Sequence, residues 1–204
     1  MARPTRRPWL ELTRMTIAVA VRKGREIVVA ADTQSNFGSA RAAPDNHRAH
    51  KIMPVGDALV ATSGWGLYAN ILDDYVARMK RAPALGSERE VFRFFQQFWH
   101  ALKDQYTLVN DQCHKDDDSP FGDLDASFLV VNRAGIFFVS SDTSVTPFDK
   151  YHAVGSGTDF ALGALHALYD EVPDPEMLAR RACETAIAFD LNCGGSVDVE
   201  RLTV

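Results

Sequence analysis

The sequence predicts an α+β fold, a four-layer sandwich with two stacked sheets inside and a pair of helices covering each outer face. Three observations carry that prediction. Short β-branched runs alternate with long helical periods in the order two hairpins, two helices, a hairpin, two helices and a strand. The helix pairs are separated by a hairpin, so each pair is free to cover a different sheet. At 204 residues, 46% hydrophobic and 24% charged, the chain fits one domain with a substantial core, and no internal repeat or linker divides it. A single sheet with helices on one face is the alternative, but it would leave an apolar sheet face in water.

Thr16 to Val21 and Glu26 to Ala31 are β-branched runs joined at Gly24, which reads as a hairpin ending at Asp32. A polar connection follows, broken by Gly38, Pro44 and Asn46. Lys51 to Val55 and Ala58 to Thr62 form a second hairpin around Gly56-Asp57. From Gly66 to Lys80, Leu67, Ile71, Leu72, Tyr75, Val76 and Met79 recur at helical spacing. A second helix runs from Ser87 to Asn110, where Ser87-Glu-Arg-Glu90 has capping-box spacing. The acidic segment Asp111 to Asp123 carries too many charges and breakers for a packed element and reads as a loop. Ala126 to Val131 and Ile136 to Ser140 make a third hairpin. Two more helices follow, one over Thr158 to Glu171 and one from Asp174, a cap with Pro175 in first position, to about Asn192. Gly194-Gly195 ends the helix and Val197 to Leu202 alternates as a last strand.

Composition excludes several classes. The longest apolar runs, such as Ile27 to Ala31 and Phe128 to Val131, are strand-sized, so no membrane span is expected. A formal charge of −5 argues against nucleic acid as a main partner. Cys113, Cys183 and Cys193 are odd in number and without CxxC spacing, which suits reduced thiols and a cytoplasmic setting. His47, His50 and His114 could be grouped with Asp116, Asp117 and Asp118 as metal ligands, but their spacing has no ligand pattern and a solvated face is the expectation.

The chemistry centres on Thr16. A chain that begins there holds a hydroxyl nucleophile and a free α-amine base in one residue, and an α-amine titrates at roughly 7.7–8.0. Fifteen arginine- and proline-rich residues precede it, without the apolar centre of a secretory signal. They read as an N-terminal extension, either a propeptide cut between Met15 and Thr16 or, the favoured reading, residues upstream of a true start at Met15. Both routes expose the same amine. If the extension stays attached, Thr16 is an ordinary strand residue. Asp32 closes the second strand and can return to the side of the sheet where Thr16 begins, and Lys51 leads the third strand beside both. Taken alone, an aspartate at a strand end caps a turn and a lysine at a strand start is solvated.

Thr16 to Gly38, with Thr16, a basic residue before Gly24, Val28-Val-Ala-Ala-Asp32 and Gln34, resembles the amino-terminal hairpin of proteasome β-subunits and of the bacterial HslV peptidase. The likeness continues through Lys51-Ile52, Ala61-Thr-Ser-Gly64, His152-Ala-Val-Gly-Ser-Gly157 and Asp190-Leu-Asn-Cys-Gly-Gly195, in the family's order and at about its spacing. It implies the N-terminal nucleophile hydrolase form of the sandwich over residues 16–204. Thr16 would be the nucleophile and its amine the base, tuned by Asp32 and Lys51 and supported by Ser156 and Asp190. The oxyanion donor would be a backbone N–H of Thr62 or Gly64. No cofactor is implied, although carbonyls of Phe189, Asn192 and Gly195 would be placed to bind a monovalent cation. The family further implies a threonine-type endopeptidase in stacked rings of six or seven subunits, cutting unfolded polypeptide with an AAA+ ATPase in the cytoplasm. A catalytically inactive ring or scaffold subunit, and an amino-terminal hydrolase of small amides, are the alternatives. Cys193 stands where the family usually has serine, and the segment between Asp32 and Lys51 is longer than in HslV. The helix pair Gly66–Lys80 and Ser87–Asn110 is expected to form the contact between rings, because Phe92, Phe95, Trp99 and Tyr106 exceed what one inner stripe can use.

Overall fold

The computed structural model describes residues 16–38, 40–43, 46–48, 50–106 and 124–203. Its first sheet holds β10 (Tyr151–Gly155), β1 (Ile17–Lys23), β2 (Glu26–Asp32) and β11 (Val197–Thr203) in that order, with every neighbouring pair antiparallel. The second runs β5 (Ile52–Val55), β6 (Ala58–Gly64), β7 (Ala126–Asn132), β8 (Gly135–Val139) and β9 (Val145–Phe148), likewise antiparallel. A two-stranded ribbon, β3 (Asn36–Phe37) with β4 (Ala40–Arg41), stands apart. The helices are α1 (Gly66–Ala77), α2 (Glu88–Gln105), α3 (Thr158–Leu168) and α4 (Pro175–Phe189).

The period of two in β1 and β2 assigns their side chains to opposite faces. Ile17, Val19, Val21, Val28 and Ala30 pack with Leu165, Leu178, Ala179, Ala182 and Ala186 of α3 and α4. Ala18, Ala20, Ile27, Val29 and Ala31 face the other way and meet Ala61, Leu129, Val131 and Ile136 of the second sheet. The outer face of that sheet, with Val60, Phe128, Val130 and Val139, lies under Tyr68, Leu72, Phe94, Phe95, Phe98 and Leu102 of α1 and α2. The result is the expected order of helices, sheet, sheet, helices. Both strands of the first hairpin are buried on both faces, which is why they read as continuous apolar runs.

Several local expectations need correction. The ring-to-ring patch assigned to α2 is largely interior: Phe95 and Phe98 are fully buried, and Trp99 and Tyr106 pack against the same core. Phe94, Phe95, Phe98, Phe128 and Tyr75 form one cluster of rings with centroids 4.7–6.2 Å apart, which absorbs the apolar excess. Of Phe92, Phe95, Trp99 and Tyr106, Phe92 alone is exposed, at 44%. α1 stops at Ala77 and α4 at Phe189, where Asp190 takes extended dihedrals. β10 was read only as the approach to a turn, and β9 was not anticipated. Residues 107–123 and 1–15 lie outside the described residues, and with them Cys113, His114, the acidic loop and the N-terminal extension. Among the described residues no helix is long and apolar enough to cross a membrane.

Candidate active site

The hairpin brings Asp32 back to the start of β1, as the pairing Ala18↔Ala31 requires. Asp32 is fully buried and its carboxylate is met by four donors. Oδ1 accepts the Ile17 N–H at 2.9 Å and the Lys51 ammonium at 2.6 Å. Oδ2 accepts the N–H groups of Gln34 at 3.3 Å and Gly194 at 3.0 Å. A buried carboxylate is tolerated only when charge and hydrogen bonds compensate it, and here both do. Lys51 is itself only 12% exposed along its side chain, so the pair is screened little by solvent. Asp32 thus ties together β1, the entry to β5 and the turn between α4 and β11, with Thr16 adjoining the first of these contacts.

Thr16, also buried, is held through its carbonyl by the turn from β10 into α3. The Gly157 N–H and the Ser156 hydroxyl each lie 3.5 Å from that oxygen. The approach is so close that a Cβ on Gly155, whose φ is +118°, would sit 1.9 Å from the Thr16 oxygen. Glycine is required there by both contact and conformation. Ser156 therefore touches the Thr16 carbonyl and the Cys193 thiol at 3.7 Å. The thiol in turn donates to Asp190 Oδ2 at 3.3 Å, while Asp190 Oδ1 takes the Asn192 N–H at 2.9 Å. Burial raises the Asp190 carboxyl, but hydrogen bonds from Ser156, the Asn192 backbone and Cys193 outweigh it and hold the group below the usual range. Burial first, and then the Asp32 charge, push the Cys193 thiol up to about 12, so it stays protonated and able to donate. Cys183 is pushed up further by burial, consistent with a core thiol inside α4.

Of the two oxyanion candidates, Thr62 is ruled out. Its N–H donates to the Lys51 carbonyl at 3.0 Å within the β5–β6 ladder. Trp65 N–H goes the other way, to Asp125 on the β7 side. Alternation then turns the Gly64 N–H to the β5 side, beyond the first residue of that strand, and Gly64 lines the same cleft as Thr16. Gly64 has φ +113° and its missing Cβ would meet the Asp125 carbonyl at 2.1 Å, so this bend also demands glycine.

Thr16, Lys51, Thr62 and Gly64 line one cleft of about 330 Å³. Its other walls include Asn36, Phe37, Arg48, His50, Trp65 and Asn70, which sequence reasoning left unassigned or treated as solvated. Gln34 was also missed: it is buried, and its amide spans Asn36 Oδ1 at 2.9 Å and the Leu191 carbonyl at 3.1 Å. The Gln34 signal is its place two residues after Asp32; the others carry none, coming from a two-residue strand, irregular backbone and the first turns of α1. His47 lies apart from the cleft lining, with its ring nitrogens 3.1 Å from the carbonyls of Ala43 and Thr33. Of the carbonyls expected to hold a monovalent cation, that of Asn192 accepts the Asn36 amide at 3.4 Å and so turns toward protein. Among the described residues no group of three or more His, Cys, Asp or Glu side chains is placed to hold a metal ion.

No family model matches the chain. It is 30% identical over 177 residues to the ATP-dependent protease subunit HslV of Rhizorhabdus wittichii, covering 86% of both chains. It is 25% identical over 192 residues to the proteasome subunit beta of Nanoarchaeum equitans, covering 93% of each. Among solved structures, Thiobacillus denitrificans BPH in complex with epoxomicin superposes with a TM-score of 0.84 at 32% identity, over 92% of this chain and 98% of that one. The eukaryotic HslV of Trypanosoma brucei shares the fold, with a TM-score of 0.63 at 21% identity over 93% of this chain and 100% of that one.

Proposed function

We propose that this chain, which belongs to the proteasome β-subunit and HslV family of threonine-type peptidases, is an active endopeptidase whose nucleophile is Thr16. The observation that carries this reading is the buried Asp32–Lys51 pair at 2.6 Å, anchored to the backbone of Ile17 and lining, through Lys51, the same cleft as Thr16. Removal of residues 1–15 exposes the Thr16 amine. That amine takes the proton of the Thr16 hydroxyl as Oγ adds to the substrate carbonyl, and the Lys51 charge favours the deprotonated forms. The Gly64 N–H supports the oxyanion of the tetrahedral intermediate. The amine then gives its proton to the departing peptide nitrogen, the C–N bond breaks, and an ester to Thr16 remains. Water, deprotonated by the same amine, hydrolyses the ester and restores the hydroxyl. Ser156, Cys193 and Asp190 position Thr16 by way of its carbonyl.

In the same reading the chain assembles into a closed double ring of six or seven subunits per ring, receives unfolded polypeptide from an ATPase, and works in the cytoplasm. The family to which the chain belongs supports this, while the epoxomicin bound by the Thiobacillus denitrificans relative bears only on the peptidase chemistry. The test is mass spectrometry and peptide turnover on the purified full chain. Loss of residues 1–15, an epoxomicin adduct on Thr16, and loss of both turnover and adduct in Thr16→Ala are expected, with the assembly intact by analytical ultracentrifugation. Turnover persisting in Thr16→Ala removes Thr16 from the mechanism. Retention of residues 1–15 without an adduct leaves a scaffold subunit.

A further inference from the structure

We infer that Gln34 is a positioning residue: its side-chain amide locks the turn between α4 and β11, which carries Asp190 and Cys193, to the 34–37 wall of the cleft, and so holds Thr16 in place. The inference rests on the peptidase reading above. Gln34 is buried and lines the cleft. Its Nε2 donates to Asn36 Oδ1 at 2.9 Å and to the Leu191 carbonyl at 3.1 Å, and Asn36 Nδ2 donates onward to the Asn192 carbonyl at 3.4 Å. The two amides and the Leu191–Asn192 peptide thereby close a ring of hydrogen bonds. A backbone carbonyl only accepts, so each amide has one orientation that satisfies the ring. Leu191 turns its side chain out, 95% exposed, so this stretch of the turn is held by its carbonyls rather than by burial.

From that turn the path to Thr16 is short. The Cys193 thiol donates to Asp190 Oδ2 and lies 3.7 Å from Ser156 Oγ, which in turn reaches the Thr16 carbonyl at 3.5 Å. Gly194 points the same way. A Cβ there would lie 2.2 Å from Gln34 Oε1 and 3.1 Å from Gln34 Cδ, and its three nearest atoms all belong to Gln34. Gly194 is not among the glycines of positive φ, so the space taken by the Gln34 amide, and not the backbone conformation, requires glycine at this position. The Gly194 N–H and the Gln34 N–H also share Asp32 Oδ2, at 3.0 and 3.3 Å. Amide, turn and Asp32 are therefore packed as one unit.

The experiment compares the purified full-length protein with Gln34→Met and Gln34→Glu. Reactive Thr16 is counted as epoxomicin adduct by mass spectrometry, and kcat and KM on a fluorogenic tetrapeptide amide are expressed per counted site. Methionine keeps the length of glutamine and removes both donors, so kcat per site should fall about tenfold, the size of two modest hydrogen bonds. Glutamate keeps the shape but, ionised, sets an acceptor against two acceptors, and kcat at about pH 8 should fall about a hundredfold. Protonation restores one donor, favoured by burial and by the Asp32 charge, so the variant-to-parent ratio of kcat should rise about fivefold or more on going to about pH 5.5. Asp32, Lys51 and Asp190, with Arg48 and His50 of the cleft, are common to parent and variant, so the ratio isolates position 34. A merely structural role would lower the count of reactive sites and leave kcat per site and the pH ratio unmoved; that result overturns the inference. Hydrogen exchange over residues 189–195 reads the same lock without turnover, and it should quicken in Gln34→Met while β1 and β2 keep the parent's protection. Quickened exchange in a protein whose parent form gives neither adduct nor turnover upholds the lock and overturns the peptidase reading. Unchanged exchange beside an active parent overturns the lock alone.

Discussion

Replacing Asp32 by asparagine separates what this carboxylate does for the fold from what it does for chemistry. The wild-type group presents two oxygens to four donors, at 2.6 and 2.9 Å on one side and 3.0 and 3.3 Å on the other. Asparagine has one oxygen. If it faces Ile17 and Lys51, its NH2 group points at the N–H groups of Gln34 and Gly194, and two buried donors lose their acceptor. Each such loss costs about 1–3 kcal/mol, and an ammonium left without its counter-charge in a mostly buried site adds a loss of similar size. The effects overlap, so the expected destabilisation is roughly 3–5 kcal/mol, a large share of the 5–15 kcal/mol that holds a domain together. Turnover should fall by about a thousandfold or more, because the groups act as a unit. The assay is urea denaturation at one fixed protein concentration, since assembly couples to stability, with kcat/KM on the same samples. Lys51→Met and the double variant complete the cycle. The double variant should lose less stability than the two single variants added together, since it buries no unmatched ammonium, while turnover stays as low as in the worse single variant. A loss of less than about 1 kcal/mol in Asp32→Asn, or turnover within about tenfold of wild type, would refute the account of how the site is held.

Two further outcomes follow from the same geometry. Gly155→Ala sets a methyl 1.9 Å from the Thr16 carbonyl at a φ of +118°; it should cost about 1–3 kcal/mol and, on the proposed mechanism, reduce turnover about a hundredfold by displacing Thr16, whereas Gly163→Ala, with open space at its Cβ, should do neither. Wild-type midpoints and rates for Gly155→Ala would show that the turn does not position Thr16. His152, stacked on Phe148 at 3.9 Å, has its pKa lowered by burial from 6.5 to about 4. The unfolded chain therefore takes up this proton first, so the neutral ring's contribution is complete above about pH 6.5 and is lost as pH falls toward 4. Allowing for partial exposure, the loss is about 1–2 kcal/mol, and His152→Gln should flatten that part of the thermal-midpoint profile against wild type. Identical profiles would count against it.

The parts of the fold legible in the sequence are those written in local chemistry. Gly24, at φ +59°, closes a hairpin between β-branched runs. Ser87 caps α2 by accepting the Glu90 N–H at 3.3 Å, and Asp174 caps α4 by accepting the Glu176 N–H at 3.0 Å ahead of Pro175. β10 was illegible as a strand because it is five residues long and pairs with β1, more than a hundred residues away in the chain. α2 differs from its sequence pattern for a related reason: the breadth of its aromatic face reflects a ring-filled core rather than a second surface. At the site, Thr16, Asp32 and Lys51 stand at strand ends and so could be placed by register. Arg48 and His50, on irregular backbone, and Asn70, on α1, line one cleft only because separate segments converge there, and no period records that.

The rims of the two sheets have a consequence for how copies of this chain can meet. The second sheet ends in β5 and β9, each only four residues long and each interrupted by a proline, Pro54 and Pro147. On the first sheet, β11 presents Asp198, Glu200 and Arg201 along its outer border. Proline removes a main-chain donor, and charges along a border repel a stranger's strand. Three of the four borders are thereby closed to strand addition. Copies of this chain can then associate face to face through side chains, without sliding into the endless hydrogen-bonded stacking that open borders invite.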